Sequence, residues 1–147
     1  MKKIILGCLS LLFMANCFTQ SAEISSAIDR DDMEKWAYEL FVKNNEKSAK
    51  KICKIPSDDY IFYGTSENLD IDVARMFAQK RAEQQALEKL NQETKVKLTS
   101  ATFFSMELVK EDVIEIPGDD EENSSFQVFR LYRIPKNVWD AGKKKIK

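Results

Sequence analysis

The sequence contains no histidine among its 147 residues. Histidine is the usual general base near neutral pH and a frequent zinc ligand, so its absence excludes Ser-His-Asp triads, His-activated cysteine nucleophiles and His-bearing zinc sites. Glycine and proline are scarce, with four and three residues, and no phosphate-binding or dinucleotide-binding glycine motif occurs. We therefore expect a protein that is not an enzyme, holds no cofactor or metal, and has no evident small-molecule substrate.

Only three cysteines are present, and one of them, Cys8, lies in the N-terminal apolar stretch described below. Once that stretch is removed, Cys53 remains, with or without Cys17, so no internal disulfide framework can form. Cys53 is close to Ile52 and Ile55 in sequence. We expect a buried, inert thiol there, with pairing between two chains as the alternative.

The N-terminus has the pattern of an export signal. Lys2 and Lys3 precede an apolar run over residues 4–15, which is too short to cross a hydrocarbon layer of about 30 Å. A buried first helix is the competing interpretation, but no polar face interrupts the run and no capping residue precedes it. The sequence therefore predicts an export signal peptide over residues 1–22.

The cleavage site decides how the exported protein is held, and two routes stay open. Cleavage after Ser21 or Ala22 leaves a soluble periplasmic or secreted product. Alternatively, residues 1–16 are a lipoprotein signal and Cys17 is the lipidation candidate, although Asn16 stands where a small residue is normal. Two or three acyl chains on Cys17 would fix the protein to a membrane face, whereas one chain binds only marginally.

The remaining residues, 23–147, suit a single α+β domain. The full chain has a formal net charge of −1, which argues against nucleic acid as a partner. Helical spacing of Met33, Trp36, Ala37, Leu40 and Phe41 predicts an amphipathic helix over about 30–50, capped by Asp29, with the Trp36 stripe in the core.

A second helix is predicted after a cap at Asn68 or Asp70. Its alanines recur every four residues, which lets a helix lie close against a sheet; they are Ala74, Ala78, Ala82 and Ala86. The aromatic, β-branched run at 60–64 reads as a strand that enters a turn at 64–66. Residues 109–116 form another strand, while 92–108 fit either helix or strand.

The run at 126–134 carries apolar residues on both faces, which predicts a central or doubly covered strand. A last short helix from Asn137 holds Trp139, and the lysines behind it are typical of a solvated terminus, with contact to anionic lipid head groups as the alternative. The expected fold is a small antiparallel sheet packed by an alanine-rich helix and preceded by an extra amphipathic helix. Its core spans about residues 58–140.

Acidic residues cluster in two places. The seven acids between 111 and 122 lack the ligand spacing of a calcium loop, so a solvated hairpin loop is expected there. The pair Asp58-Asp59 is the remaining acid/base candidate for a hydrolase, but its neighbours do not suggest an organised pocket. We expect a surface turn at that pair.

The strand at 60–64, followed by Ala74-Arg75, Ala78, Arg81-Ala82 and Ala86, resembles the core of the LPP-twenty bacterial lipoprotein family. The related N-terminal domain of the flagellar assembly protein FlgT is similar. In these families a strand feeds an alanine-rich helix with Ala-Arg steps, and antiparallel strands follow. The resemblance covers about residues 58–140 and implies an envelope or surface protein without catalytic residues.

Two functions follow as expectations. The first is a non-enzymatic, envelope-associated protein, lipid-anchored if Cys17 is acylated, that acts by contacts with unidentified envelope proteins. The second is a soluble periplasmic or secreted binding protein, inhibitor-like or adhesin-like. That protein would use the acidic loop at 119–122 or an aromatic patch around Tyr60, Phe62 and Tyr63.

Overall fold

The computed structural model of the chain describes residues 24–98, 105–120 and 123–146. The predicted export signal and Cys17 lie outside them. The elements, in chain order, are a 3₁₀ turn Arg30–Asp32, α1 Lys35–Ala37, a π-helical turn Tyr38–Val42, α2 Glu46–Ile52, β1 Tyr60–Asn68, α3 Ile71–Thr94, β2 Glu107–Ile116, β3 Ser125–Ile134 and α4 Lys136–Lys145. The strands are antiparallel, so the predicted α+β class with a small antiparallel sheet is confirmed.

Strand β3 lies at the centre of the sheet, whose order is β1-β3-β2. Gly64 of β1 pairs with Arg130 of β3, and Val113 of β2 pairs with Val128. The β2–β3 register shifts between Leu108 and Lys110, where β2 bulges. As the two-faced apolar pattern predicts, β3 is covered on both sides.

The two faces of β3 pack in different hydrophobic clusters. Phe129 and Leu131 pack in a cluster with the N-terminal segment, which contributes Trp36, Ala37 and Leu40. The opposite face packs in a second cluster of Phe62, Ala82, Ala86, Leu90, Tyr132, Ile134 and Trp139. The Trp36 stripe is therefore part of the core, as predicted.

Helix α3 carries the alanine stripe against the sheet, and all four alanines are buried. Its N-cap is Asp70, whose Oδ1 accepts the backbone N–H groups of Asp72 at 2.8 Å and Val73 at 3.2 Å. Small side chains allow the helix backbone to touch β1: a Cβ on Gly64 would overlap the Ala78 carbonyl oxygen. The predicted turn at 64–66 is wrong, because β1 continues through Gly64 to Asn68.

The single helix predicted over 30–50 is also wrong. The helical structure is interrupted between Val42 and Glu46. Asn44 takes a left-handed conformation with φ 52°, and the Asn45 side chain caps α2 by accepting the Ser48 N–H at 3.1 Å. Asp29 does act as a cap, but of the short 3₁₀ turn. The amphipathic face survives because both pieces pack on the same side of the sheet.

The stretch 92–108 is neither all helix nor all strand. Helix α3 ends at Thr94, and Lys95 terminates it in a left-handed conformation with φ 57°. The Asn91 side chain then makes two hydrogen bonds to the backbone of Leu98, which folds the chain back on the helix end. Strand β2 begins at Glu107, and the predicted last helix is present as α4. None of the described helices has the length and apolar character to cross a bilayer.

Candidate functional site

A groove in the described part of the chain follows the outer edge of β1 and has a volume of about 450 Å³. Its floor is the edge of β1 over 60–63. One wall comes from α2, with Glu46 and Lys50, and the other comes from α3, with Gln85 and Lys89. Because β1 pairs only with β3 among the described strands, its opposite edge faces this groove.

Side chains satisfy part of that strand edge. The backbone N–H of Tyr63 donates to Gln85 Oε1 at 3.0 Å, and the guanidinium group of Arg81 donates to the Thr65 carbonyl oxygen. On the other wall, Lys50 Nζ donates to the carbonyl oxygens of Ser57 and Asp59. Helix α3 thus shields β1 from unspecific strand pairing, which is a common way of protecting a sheet edge.

Two tyrosines border the groove. The Tyr63 hydroxyl donates to Asn44 Oδ1 at 3.4 Å, and burial together with the nearby Glu46 carboxylate raises the pKa of Tyr63. Tyr60 stacks on Trp139 with ring centroids 4.8 Å apart, and Lys89 Nζ lies 5.2 Å from the Tyr60 ring centre. The groove therefore combines aromatic surface with charges of both signs.

The aromatic patch expected from sequence does not exist as one surface. Phe62 is only 3% exposed and packs with Trp139 beneath α3 and α4. Tyr60 lies on that same face, whereas Tyr63 packs on the opposite face with the N-terminal segment. Alternation along a strand explains the separation, since neighbouring side chains point to opposite sides.

The Asp58-Asp59 pair is also divided. Asp58 is exposed in the groove wall, while Asp59 is 8% exposed. Asp59 accepts the backbone N–H of Lys136 at 3.1 Å through Oδ1, and its Oδ2 lies 3.7 Å from Arg133. Asp59 thus ties the start of β1 to the end of β3 and the first turn of α4.

The solvated hairpin loop expected over the seven acids is wrong for the first three, because Glu111, Asp112 and Glu115 lie in β2; the connection from β2 to β3 begins after Ile116. Asp119 and Asp120 are exposed, and residues 121 and 122 lie outside the described part. No group of three or more acids, cysteines or histidines within the described residues is arranged to hold a metal ion.

A cluster of charged side chains, which the sequence analysis does not predict, joins α3 to the sheet. Glu111 on β2 accepts from Arg75 on α3 at 2.9 Å and from Arg130 on β3 at 2.6 Å. Burial alone raises the pKa of Glu111, but the hydrogen bonds from the two arginines outweigh it and hold that pKa below its usual range. This carboxylate therefore stays ionised at neutral pH and fastens β2 beneath α3.

Cys53 is half-buried and packs against the cluster that contains Trp36. Burial raises the pKa of its thiol, which keeps the sulfur protonated and poorly nucleophilic near neutral pH.

Comparison with known proteins adds no relative from which a role can be transferred. No family model, no curated protein and no solved structure matches the chain.

Proposed function

We propose that this chain is a non-enzymatic cell-envelope protein that is exported, is held at a membrane face by acyl chains on Cys17, and acts through protein contacts. One observation carries the proposal: two lysines, an apolar run too short to span a bilayer, and then a cysteine. The resemblance of residues 58–140 to the LPP-twenty lipoproteins supports it. The expected location is the periplasm or the outer membrane, with the anchor at Cys17.

A soluble binding protein, inhibitor-like or adhesin-like, is the second candidate. Asn16 is an unusual residue immediately before a lipidated cysteine, and the small residues Ser21 and Ala22 suit ordinary cleavage. In that case the domain is free in the periplasm or secreted.

Under either candidate, the groove along β1 is the surface that we propose for the protein contact. Because Gln85 and Arg81 already bind backbone groups of β1, we expect the partner to be bound by the charged side chains of the groove walls, whose pattern supplies specificity. Here Glu46, Asp58, Lys50 and Lys89 place opposite charges along the edge. An extended segment with alternating charge fits this arrangement.

Lipidation is tested by growing cells with labelled palmitate and comparing the wild type with Cys17→Ala, with and without globomycin. The proposal expects label on the wild type alone and a precursor that accumulates with globomycin. Absence of label from the wild type, or equal label on the variant, refutes the anchor.

The contact surface is tested with a charge swap, Glu46→Lys with Lys89→Glu, which leaves net charge unchanged. The matched control, Lys35→Glu with Glu115→Lys, makes the same exchange at exposed positions outside the groove. We expect cross-linking to envelope proteins in cells to be lost with the groove swap and kept with the control. Equal cross-linking by the wild type, the groove swap and the control swap refutes the groove as the contact surface.

A further inference from the structure

The turn that follows α3 and the last turn of α4 form a basic surface. Lys95 and Lys97 lie in the turn that follows α3, and Lys144 and Lys145 lie in the last turn of α4; all four are exposed. Leu98 and Ile146 pack against the same hydrophobic cluster, which brings the turn and the end of α4 together. We refer to these four lysines as the basic end.

Glu93 of α3 and Asp140 of α4, on the two helices beside the basic end, are already bound to other groups. Glu93 accepts from Trp139 Nε1 at 2.8 Å and from Lys143 Nζ at 2.9 Å. Asp140 binds Lys136 at 2.6 Å and lies 3.7 Å from Lys143. The four lysines of the basic end make no ion pair with another described residue. Within the part of the chain that the structure describes, no ion pair offsets their charge, although lysines near a helix C-terminus are modestly attracted to it.

An exposed apolar side chain lies between two of these lysines. Val96 is 40% exposed, and so is Val138 at the start of α4. The opposite end of the sheet, where β1 leads into α3 and β2 turns into β3, carries exposed acids instead: Asp70, Asp72, Asp119 and Asp120. Helix α3, about 36 Å long at 1.5 Å per residue, separates the two ends. These four acids and the four lysines of the basic end therefore lie toward opposite ends of α3.

We propose that the basic end docks on the surface of an anionic lipid bilayer. Lysines near such a surface are attracted to its head groups, while a short apolar side chain between them enters the boundary of the acyl chains. A soluble polyanion would use the lysines but gives Val96 no role, so the observations favour a bilayer. This contact needs no acyl chain, and it goes beyond the proposed anchor at Cys17.

The test titrates the exported, processed protein with vesicles of equal parts phosphatidylcholine and phosphatidylglycerol and follows amide hydrogen exchange. Segments 95–98 and 143–146 should become protected, with no protection on pure phosphatidylcholine. Each lysine contributes about fivefold in apparent affinity, equivalent to about 1 kcal/mol. Changing all four lysines of the basic end to glutamine should therefore abolish protection.

The matched control changes Lys35, Lys47, Lys51 and Lys80 to glutamine, which removes the same charge from exposed positions elsewhere. It should retain protection at 95–98. Equal loss in both quadruple variants, or protection of the wild type by polyglutamate but not by the vesicles, overturns the proposal. Palmitate labelling at Cys17 is measured separately, so a failure here is distinct from a failure of the anchor.

Discussion

Replacing Gly64 with alanine tests how closely α3 approaches the sheet. Where space is available, Gly→Ala stabilises a protein by about 0.4–1 kcal/mol because the unfolded chain loses freedom. Here the added Cβ overlaps the Ala78 carbonyl oxygen and lies 3.0 Å from the Arg81 Cβ. Overpacking of this kind costs about 1–3 kcal/mol. Gly64→Ala should therefore destabilise the protein instead of stabilising it, and we expect the free energy of unfolding to fall by about 2 kcal/mol.

The assay is urea unfolding with thermal melting of the same samples. For a domain of this size, about 2 kcal/mol corresponds to a fall in Tm of roughly 6–10 °C. Because the obstructing atom belongs to the backbone, adding Ala78→Gly should not rescue Gly64→Ala. Unchanged or increased stability of Gly64→Ala, or full rescue by Ala78→Gly, refutes the close approach of helix and strand.

Three further changes have defined outcomes. Glu111→Gln should lower the free energy of unfolding by about 2 kcal/mol at neutral pH because the charge-assisted hydrogen bonds from Arg75 and Arg130 weaken. Since the pKa of Glu111 is depressed, its contribution should fade as pH falls below about 4.5, and urea titrations across pH that show a constant difference contradict this. Gln85→Ala should leave the Tyr63 N–H open and promote self-association in sedimentation velocity, unlike Gln79→Ala on the outer face of α3. Trp139→Ala should lower the free energy of unfolding in urea by about 3–5 kcal/mol, because the tryptophan is buried. Val138 is its exposed neighbour, and Val138→Ala should lower that free energy by less than about 0.5 kcal/mol. Equal effects of the two substitutions contradict the burial of Trp139.

Local sequence chemistry is enough to predict α3 and its position. Asp70 begins the helix because its side chain accepts two free N–H groups. Alanines that recur every four residues indicate that one face of the helix packs closely against another element. All four of these alanines are buried. The doubly apolar pattern of β3 likewise predicts its central place in the sheet.

Elsewhere tertiary contacts override the local pattern. The period of Trp36 and Leu40 continues as if one helix ran to residue 50, but a π-helical turn and a left-handed Asn44 divide it. Gly64 suggests a turn by composition, yet it is glycine because the backbone of α3 passes close to the strand. Such a reason is visible only once helix and strand are packed together.

The groove was not predictable in detail for the same reason. Its polar contacts join residues distant in sequence, such as Tyr63 with Gln85 and Tyr63 with Asn44. The aromatic run at 60–63 pointed to the correct strand, but alternation places its side chains on two faces. The lipidation candidate Cys17 lies outside the described residues and stays a prediction from sequence.

The intact mass of the exported protein tests the central claim most directly. Export with an anchor predicts a chain that begins at Cys17 and carries the added mass of a diacylglycerol group and any N-linked acyl chain. The same measurement on Cys17→Ala should show no such species. An unmodified wild-type chain beginning at Ala22 or Glu23 contradicts the anchor and favours the soluble binding protein, and an uncleaved chain confined to the cytoplasm contradicts export itself.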